Sequence, residues 1–146
     1  MHFSIAIPRK IALAYGNACK PLCRELELPQ TAFDILMFLG NNPEHRTASE
    51  IVELRHIKAN LVSVHVERLV QEGYLLRQSV AGDRRKTQLL CTEKAQQIIA
   101  RGRQLQEAFS QRLLANMELQ AREAFAVAME QIEANLNTML EEENPL

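Results

Sequence analysis

Asp83-Arg84-Arg85-Lys86 places three adjacent cations beside one carboxylate, with a further cation, Arg77, shortly before. Ala81-Gly82 precedes the run, and short strand-like segments flank it, so the cluster belongs to the turn of a hairpin. A hairpin has no structural need for such a group. Neighbouring cations repel one another, and an exposed ion pair stabilises by only about 0–1 kcal/mol. A polyanion would reward the arrangement, because a narrow minor groove concentrates negative potential and attracts an inserted guanidinium. The chemistry on offer is recognition of phosphates and base edges. Bond-making chemistry has no comparable signature: the chain lacks a phosphate-cradling glycine loop, a nucleophile elbow and a paired His-Glu metal motif. Each carboxylate of the first half has a helix-surface or capping explanation. His2, His45, His56 and His65 show no metal-ligand spacing with Cys19 and Cys23. No enzyme, cofactor or metal is expected.

The stretch Ile51–Thr92 must position these cations. Thr47 or Ser49 can cap a short helix carrying Ile51, Val52 and Leu54; if Thr47 caps, Glu50 stands three residues on, the spacing of a capping box. Arg55-His56-Ile57 makes a turn. A second helix is predicted from about Lys58 to Glu72, with Val62, Val66 and Leu69 inward and His65 at the margin. Gly73 suits its left-handed C-terminal residue. Leu75–Arg77 and Lys86–Cys91 then read as two short strands around the charged turn. The expectation is a winged helix-turn-helix, mostly α with a small β-hairpin wing. Its second helix would enter the major groove with Lys58, Asn60 and Ser63 as contacts: Asn reads adenine in two places, and Lys reaches guanine or phosphate. Arg55, Arg77, Arg84, Arg85 and Lys86 would complete the surface, with Asp83 among them.

The same stretch resembles the MarR (multiple antibiotic resistance regulator) family of bacterial transcription factors. The family's short helix, turn and recognition helix ending in Arg-Leu correspond to Ile51-Val52 and to Arg68-Leu69, followed by Gly73 and Tyr74-Leu75. Its wing has an Arg, five variable residues and Asp-Arg-Arg, matched by Arg77 and Asp83-Arg84-Arg85. Its closing Leu-Thr-Glu-Lys-Gly appears as Cys91-Thr92-Glu93-Lys94-Ala95. The sequence departs where the family usually has Gly, at His56, where it has Ser, at Lys58, and at Val64, where a polar or basic residue is more usual. The resemblance implies a homodimeric repressor on a pseudo-palindromic operator, with Arg85 inserted in the minor groove and oriented by Asp83. It also implies an aromatic or phenolic effector, for which Tyr15, Cys19, Phe33, Met37 and Phe38 are the candidate lining. Those five residues equally suit an ordinary core.

The remainder fits one domain of 146 residues, with residues of about 29–92 as the DNA-binding part and 1–28 and 93–146 as helical dimerisation segments. Pro8 suits a first helical turn. Pro21 should kink the first helix or begin a new one. Pro29 opens the next helix, whose apolar face is Phe33, Leu36, Met37 and Leu39. Thr92 is expected to cap a long helix. The stripe Phe125, Met129, Ile132, Leu136, Met139 and Leu140 is too long for a compact head to cover, and with Phe3, Ile5 and Ile7 it suggests a second subunit. The net charge is −1, so partner choice rests on local charge: the hairpin is basic and the segment from Glu107 onward is acidic. Three cysteines show no disulfide framework, and no leader or membrane segment is apparent, which suggests a cytoplasmic protein with reduced thiols. Some members of the resembled family sense peroxide through a cysteine of the first helix, but Cys19 on an apolar stripe reads as an inert small hydrophobe. The rival function is a winged-helix protein-interaction module using the acidic last helix, which would have no use for Arg84-Arg85-Lys86.

Overall fold

The computed structural model describes residues 4–143, apart from the side chain of Arg84. Phe3 therefore lies outside the described residues. Six helices and one hairpin follow in order: α1 Ala6–Leu26, α2 Gln30–Asn41, α3 Ala48–Arg55, α4 Ala59–Gln71, β1 Leu75–Val80, β2 Asp83–Cys91, α5 Glu93–Leu113 and α6 Leu119–Glu141. The chain forms two compact units, one reaching to Phe109 and one beginning at Ser110. No helix among the described residues is long and apolar enough to cross a membrane.

The first unit is built on α2, which buries Ala32, Phe33 and all of Ile35–Leu39. A helix buried around most of its circumference is a core helix rather than a surface one. Two glycines let α5 approach it closely. A Cβ at Gly40 would lie 2.7 Å from Ile99 Cγ2, and one at Gly102 would collide with Met37 Sδ. Cys19, Leu22 and Cys23 of α1, Ile51 of α3, Val62, Val66 and Leu69 of α4, and Leu75 and Leu89 of the hairpin complete the core.

Helix ends follow local chemistry. α1 runs unbroken through Pro21, so no new helix begins there; it ends at Glu27 in the left-handed conformation (φ 54), where the Leu28 amide bonds back to the Cys23 carbonyl at 3.0 Å. Thr47 caps α3: its Oγ1 accepts the Glu50 amide at 3.2 Å, and Glu50 in turn accepts from the Arg46 amide at 3.3 Å. His45 adds a short contact from its Nδ1 to Glu50, and these hydrogen bonds, His45's first, hold the Glu50 carboxyl below its ordinary range. His56 joins α3 to α4 at φ 52, the region that favours glycine, and Gly73 ends the α4 region at φ 81.

The hairpin is longer than the sequence pattern suggests. β1 and β2 pair in regular antiparallel register from Leu75↔Cys91 to Ser79↔Thr87, and then the register jumps to Val80↔Asp83. Asp83, Arg84 and Arg85 thus belong to β2 and not to a loop. A two-residue turn at Ala81-Gly82, with Gly82 at φ 86, closes the ladder. Arg84, Arg85 and Lys86 fall in the interval of the register jump, a bulge on the β2 side.

In the second unit, Met117 and Arg122 tie the start of α6 through a 3.0 Å bond from Arg122 Nε to the Met117 carbonyl. Phe125, Met129, Ile132, Leu136, Met139 and Leu140 are all exposed, as are Ile5 and Ile7 in the first unit.

Candidate nucleic-acid interface

The base of the hairpin is fixed to the end of α4 by the segment around Thr92. The Thr92 hydroxyl donates to the Gly73 carbonyl at 2.7 Å and accepts the Ala95 amide at 3.3 Å, capping α5 as expected. Lys94 donates to the Glu72 carbonyl at 2.7 Å, the favourable place for a cation at a helix C-terminus, while its ammonium lies 4.3 Å from the Tyr74 ring centre. Higher on the stem, the Leu89 amide donates to the Arg46 carbonyl at 2.7 Å, tying β2 to the loop that starts α3. Arg68 reaches from α4 to the Glu27 carbonyl, 2.7 Å away, and pairs with Glu72 at 3.0 Å. Helix and hairpin are thus held by hydrogen bonds at several levels.

The solvent face of α4 presents Asn60, Leu61, Ser63, Val64 and Glu67, with Lys58 at the N-cap. Asn60 and Ser63 share this face with Val64, so the three are grouped at helical spacing. Glu67 was not singled out from sequence. Its carboxylate pairs with Arg77 Nη2 of β1 at 2.8 Å. That pair joins the stem to the helix and neutralises an acid that would otherwise repel phosphates. Arg77 is therefore engaged within the protein, and the i+10 spacing from Glu67 gave no hint of it.

At the tip, the Asp83 carboxylate accepts the backbone amide of Arg85 at 2.9 Å. It shapes the chain at the bulge, and among the described residues it forms no ion pair with the Arg85 guanidinium. Arg85 and Lys86 are exposed and, with Lys58, carry no ion pair among the described residues. The side chain of Arg84 lies outside the description.

Arg55 is placed elsewhere. It lines a cleft of about 170 Å³ with Tyr15, Asp34, Met37, Phe38, Asn41, Asn42 and Gln106. Three of the five residues proposed for an effector pocket meet there. Phe33 is sealed in the core, and Cys19 lines a neighbouring groove with Lys20, Cys23 and Arg24. Burial pushes the Tyr15 phenol up to about 12, against a Gln106 Nε2 bond of 3.0 Å to its oxygen. Burial also pushes Asp34 up to about 6, opposed by the charge of Arg55 and a hydrogen bond with Gln30. Asp34 is the carboxylate that the sequence reading passed over as helix surface. Burial raises the thiols too, Cys23 to about 11, and Cys19 and Cys91 above their ordinary value, which disfavours the reactive thiolate. Among the described residues no cluster of His, Cys, Asp or Glu suits a metal ion.

The MarR family model matches residues 26–86, from the end of α1 through the hairpin tip. That match covers less than half of the chain and falls on the helix-turn-helix and hairpin, which are therefore similar to those of the MarR family. Solved structures extend the likeness in fold to the whole chain. A protein described as a MarR family transcriptional regulator from Listeria monocytogenes, crystallised with a 26-mer DNA, superposes with TM-score 0.86 at 18% identity, covering 99% of this chain and 97% of that one. The transcriptional regulator SlyA gives 0.80 at 18% identity, with 94% and 98% covered. The S. aureus MepR–DNA complex gives 0.75 at 13%, with 92% and 97% covered. No curated protein sequence is significantly similar to the chain. Several residues of the matched motifs have a structural role: Arg68 ties α4 to the end of α1, and Thr92 and Lys94 lock the hairpin to the end of α4.

Proposed function

We propose that the chain is a MarR-family transcription regulator, a cytoplasmic homodimer that binds a pseudo-palindromic double-stranded operator and acts as a ligand-responsive repressor. The observation that carries the DNA-binding reading is the pairing of two surfaces by one ion pair. Arg77 and Glu67 fix the hairpin beside the solvent face of α4, and near that face Lys58 at the helix start and Arg85 and Lys86 at the hairpin tip are exposed and carry no ion pair among the described residues. Asn60, Ser63 and the methyls of Val64 then face base edges, and Arg85 enters the adjacent minor groove. Two DNA-bound MarR-type structures share the fold. The head is taken as about 29–92. The exposed apolar stripe Phe125–Leu140 and Ile5 and Ile7 pair the two chains, which sets the recognition helices about 34–36 Å apart. Occupation of the cleft at Tyr15, Met37 and Phe38 by a small aromatic effector shifts the population between spacings that fit and do not fit the operator.

The test begins with selection of DNA fragments by the purified protein, followed by a salt titration on the selected duplex. Lys58 and Lys86 at phosphates and Arg85 in the groove bring about six cations from two protomers against the polyanion, so affinity falls about 10³-fold between 50 and 200 mM salt. A flat salt profile, or no enriched sequence, contradicts DNA binding. Sedimentation at micromolar concentration gives two chains if the dimer is correct.

A further inference from the structure

The cleft beside α2 has a chemical character that its apolar floor conceals. Tyr15, Met37 and Phe38 offer flat apolar surface, yet the wall carries one carboxylate, Asp34, half-buried between Phe33 and Ile35 on the core helix. An ionised carboxylate accepts at about four lone-pair positions. Gln30 supplies one hydrogen bond to Asp34, and among the described residues no cation lies close enough to form an ion pair with it. Arg55 acts on it only through space, from the exposed end of α3. The side-chain amides nearby bond to other acceptors. Gln106 Nε2 serves the Tyr15 oxygen, Asn41 Nδ2 serves Gln106 at 3.1 Å, and Asn42 Nδ2 serves the Phe38 carbonyl at 2.9 Å. A half-buried anion short of donors, facing a cavity, is costly unless a donor arrives.

We infer that the cleft selects a small ligand whose protonated amine, or an equivalent charged N–H donor, binds the Asp34 carboxylate while its apolar body rests on Tyr15, Met37 and Phe38. This rests on the reading of the cleft as the effector site and specifies its ligand: a cation on one ring or a short chain, since a volume of about 170 Å³ is below that of drug-sized sites. A carboxylate in the same pose would set like charge beside Asp34. The position also explains how occupancy reaches DNA. Arg55, the cation that Asp34 attracts, is the last residue of α3, and His56, held at positive φ, follows it in the short turn that leads to the recognition helix. A ligand cation that neutralises Asp34 removes the attraction on Arg55 at that turn.

The groups facing Asp34 are Arg55 on α3, Gln30 on its own helix, and Tyr15, Cys19 and Cys23 on α1. Of these, Asp34 alone titrates near pH 6, so acidification through that range removes the amine's partner. The probes are tyramine and 4-hydroxyphenylacetate, which share a phenol ring and differ in the charge of the arm. Calorimetry on the full-length protein at pH 7.5 is expected to show saturable binding of tyramine and tighter binding of it than of the acid. Tyramine affinity falls about tenfold or more in Asp34→Asn, the loss of one charge-assisted hydrogen bond. It falls likewise in the unmodified protein at pH 5, so the result does not depend on the variant's fold. Absence of tyramine binding, stronger binding of the acid, or tyramine binding indifferent to both Asp34→Asn and pH overturns the inference. Operator binding by the unliganded protein, measured separately, is untouched by those outcomes and tests the DNA-binding reading alone.

Discussion

The stem and the tip of the hairpin are continuous in sequence and opposite in construction. In the stem, Leu75 and Leu89 are buried, five residue pairs keep register, and bonds run from Arg77 to α4, from Leu89 to the loop before α3 and, at the base, from Thr92 to the end of the α4 region. At the tip the register jumps, Arg85 and Lys86 face solvent, and one carboxylate–amide bond shapes the chain. Both regions are basic by sequence, yet among the described side chains Arg85 and Lys86 of the tip carry no ion pair while Arg77 of the stem is paired. Counting cations therefore overstates a binding surface: Arg77 is consumed by Glu67, and Arg55 belongs with Asp34 at a cleft. What a polyanion can use is the charge the protein has not already neutralised.

Substitutions that break the stem should cost the fold, and those at the tip should not. The largest effect is expected from Leu75→Ala, which empties a fully buried site and destabilises by about 2–5 kcal/mol in thermal or denaturant melts. A loss below about 1 kcal/mol would mean the stem is not packed as described. Next comes Thr92→Ala, which removes both the cap of α5 and the hydroxyl bond to Gly73; about 0.5–2 kcal/mol of stability should go. The smallest change in stability, within about 0.5 kcal/mol, belongs to Glu67→Gln, because exposed ion pairs contribute little. Its informative readout is the salt dependence of DNA binding. Arg77, released, becomes available to phosphate, and the slope of log affinity against log salt should steepen by about 1 per protomer. An unchanged slope would say that Arg77 already meets DNA or cannot reach it.

Stability should also respond to pH through Asp34. Its folded value, about 6, stands above the ordinary 3.8, so the folded chain holds a proton that the unfolded chain has released between those values. Stability therefore declines as pH rises from about 4 to about 6 through this group, and Asp34→Asn should flatten that part of the profile.

The architecture was legible because its determinants are local. Thr47 with Glu50, Gly73, Thr92 and the spacing Val62, Val66, Leu69 each act within a few residues, and each stands where the pattern predicted. What escaped depended on distant partners. The Glu67–Arg77 pair couples two elements, the glycine contacts of Gly40 and Gly102 depend on how α5 crosses α2, and Asp34 gains its character only when α1, α3 and α5 enclose it. The hairpin was read too short because a run of cations looks like a loop, although a bulge accommodates it inside a strand. Pro21 shows the converse: the proline signal is local, but packing of Cys19, Leu22 and Cys23 on the core carries α1 through it.

The central claim is that the tip, not the stem, reads DNA. It is tested most directly by measuring Arg85→Ala against the parent on the selected operator and on a scrambled duplex at one salt concentration, with melts of both proteins. The expected result is an unchanged melt and an operator-specific loss of about 1–3 kcal/mol per protomer, the size of one good base contact. An Arg85→Ala protein that melts like the parent and holds the operator as tightly would contradict the account.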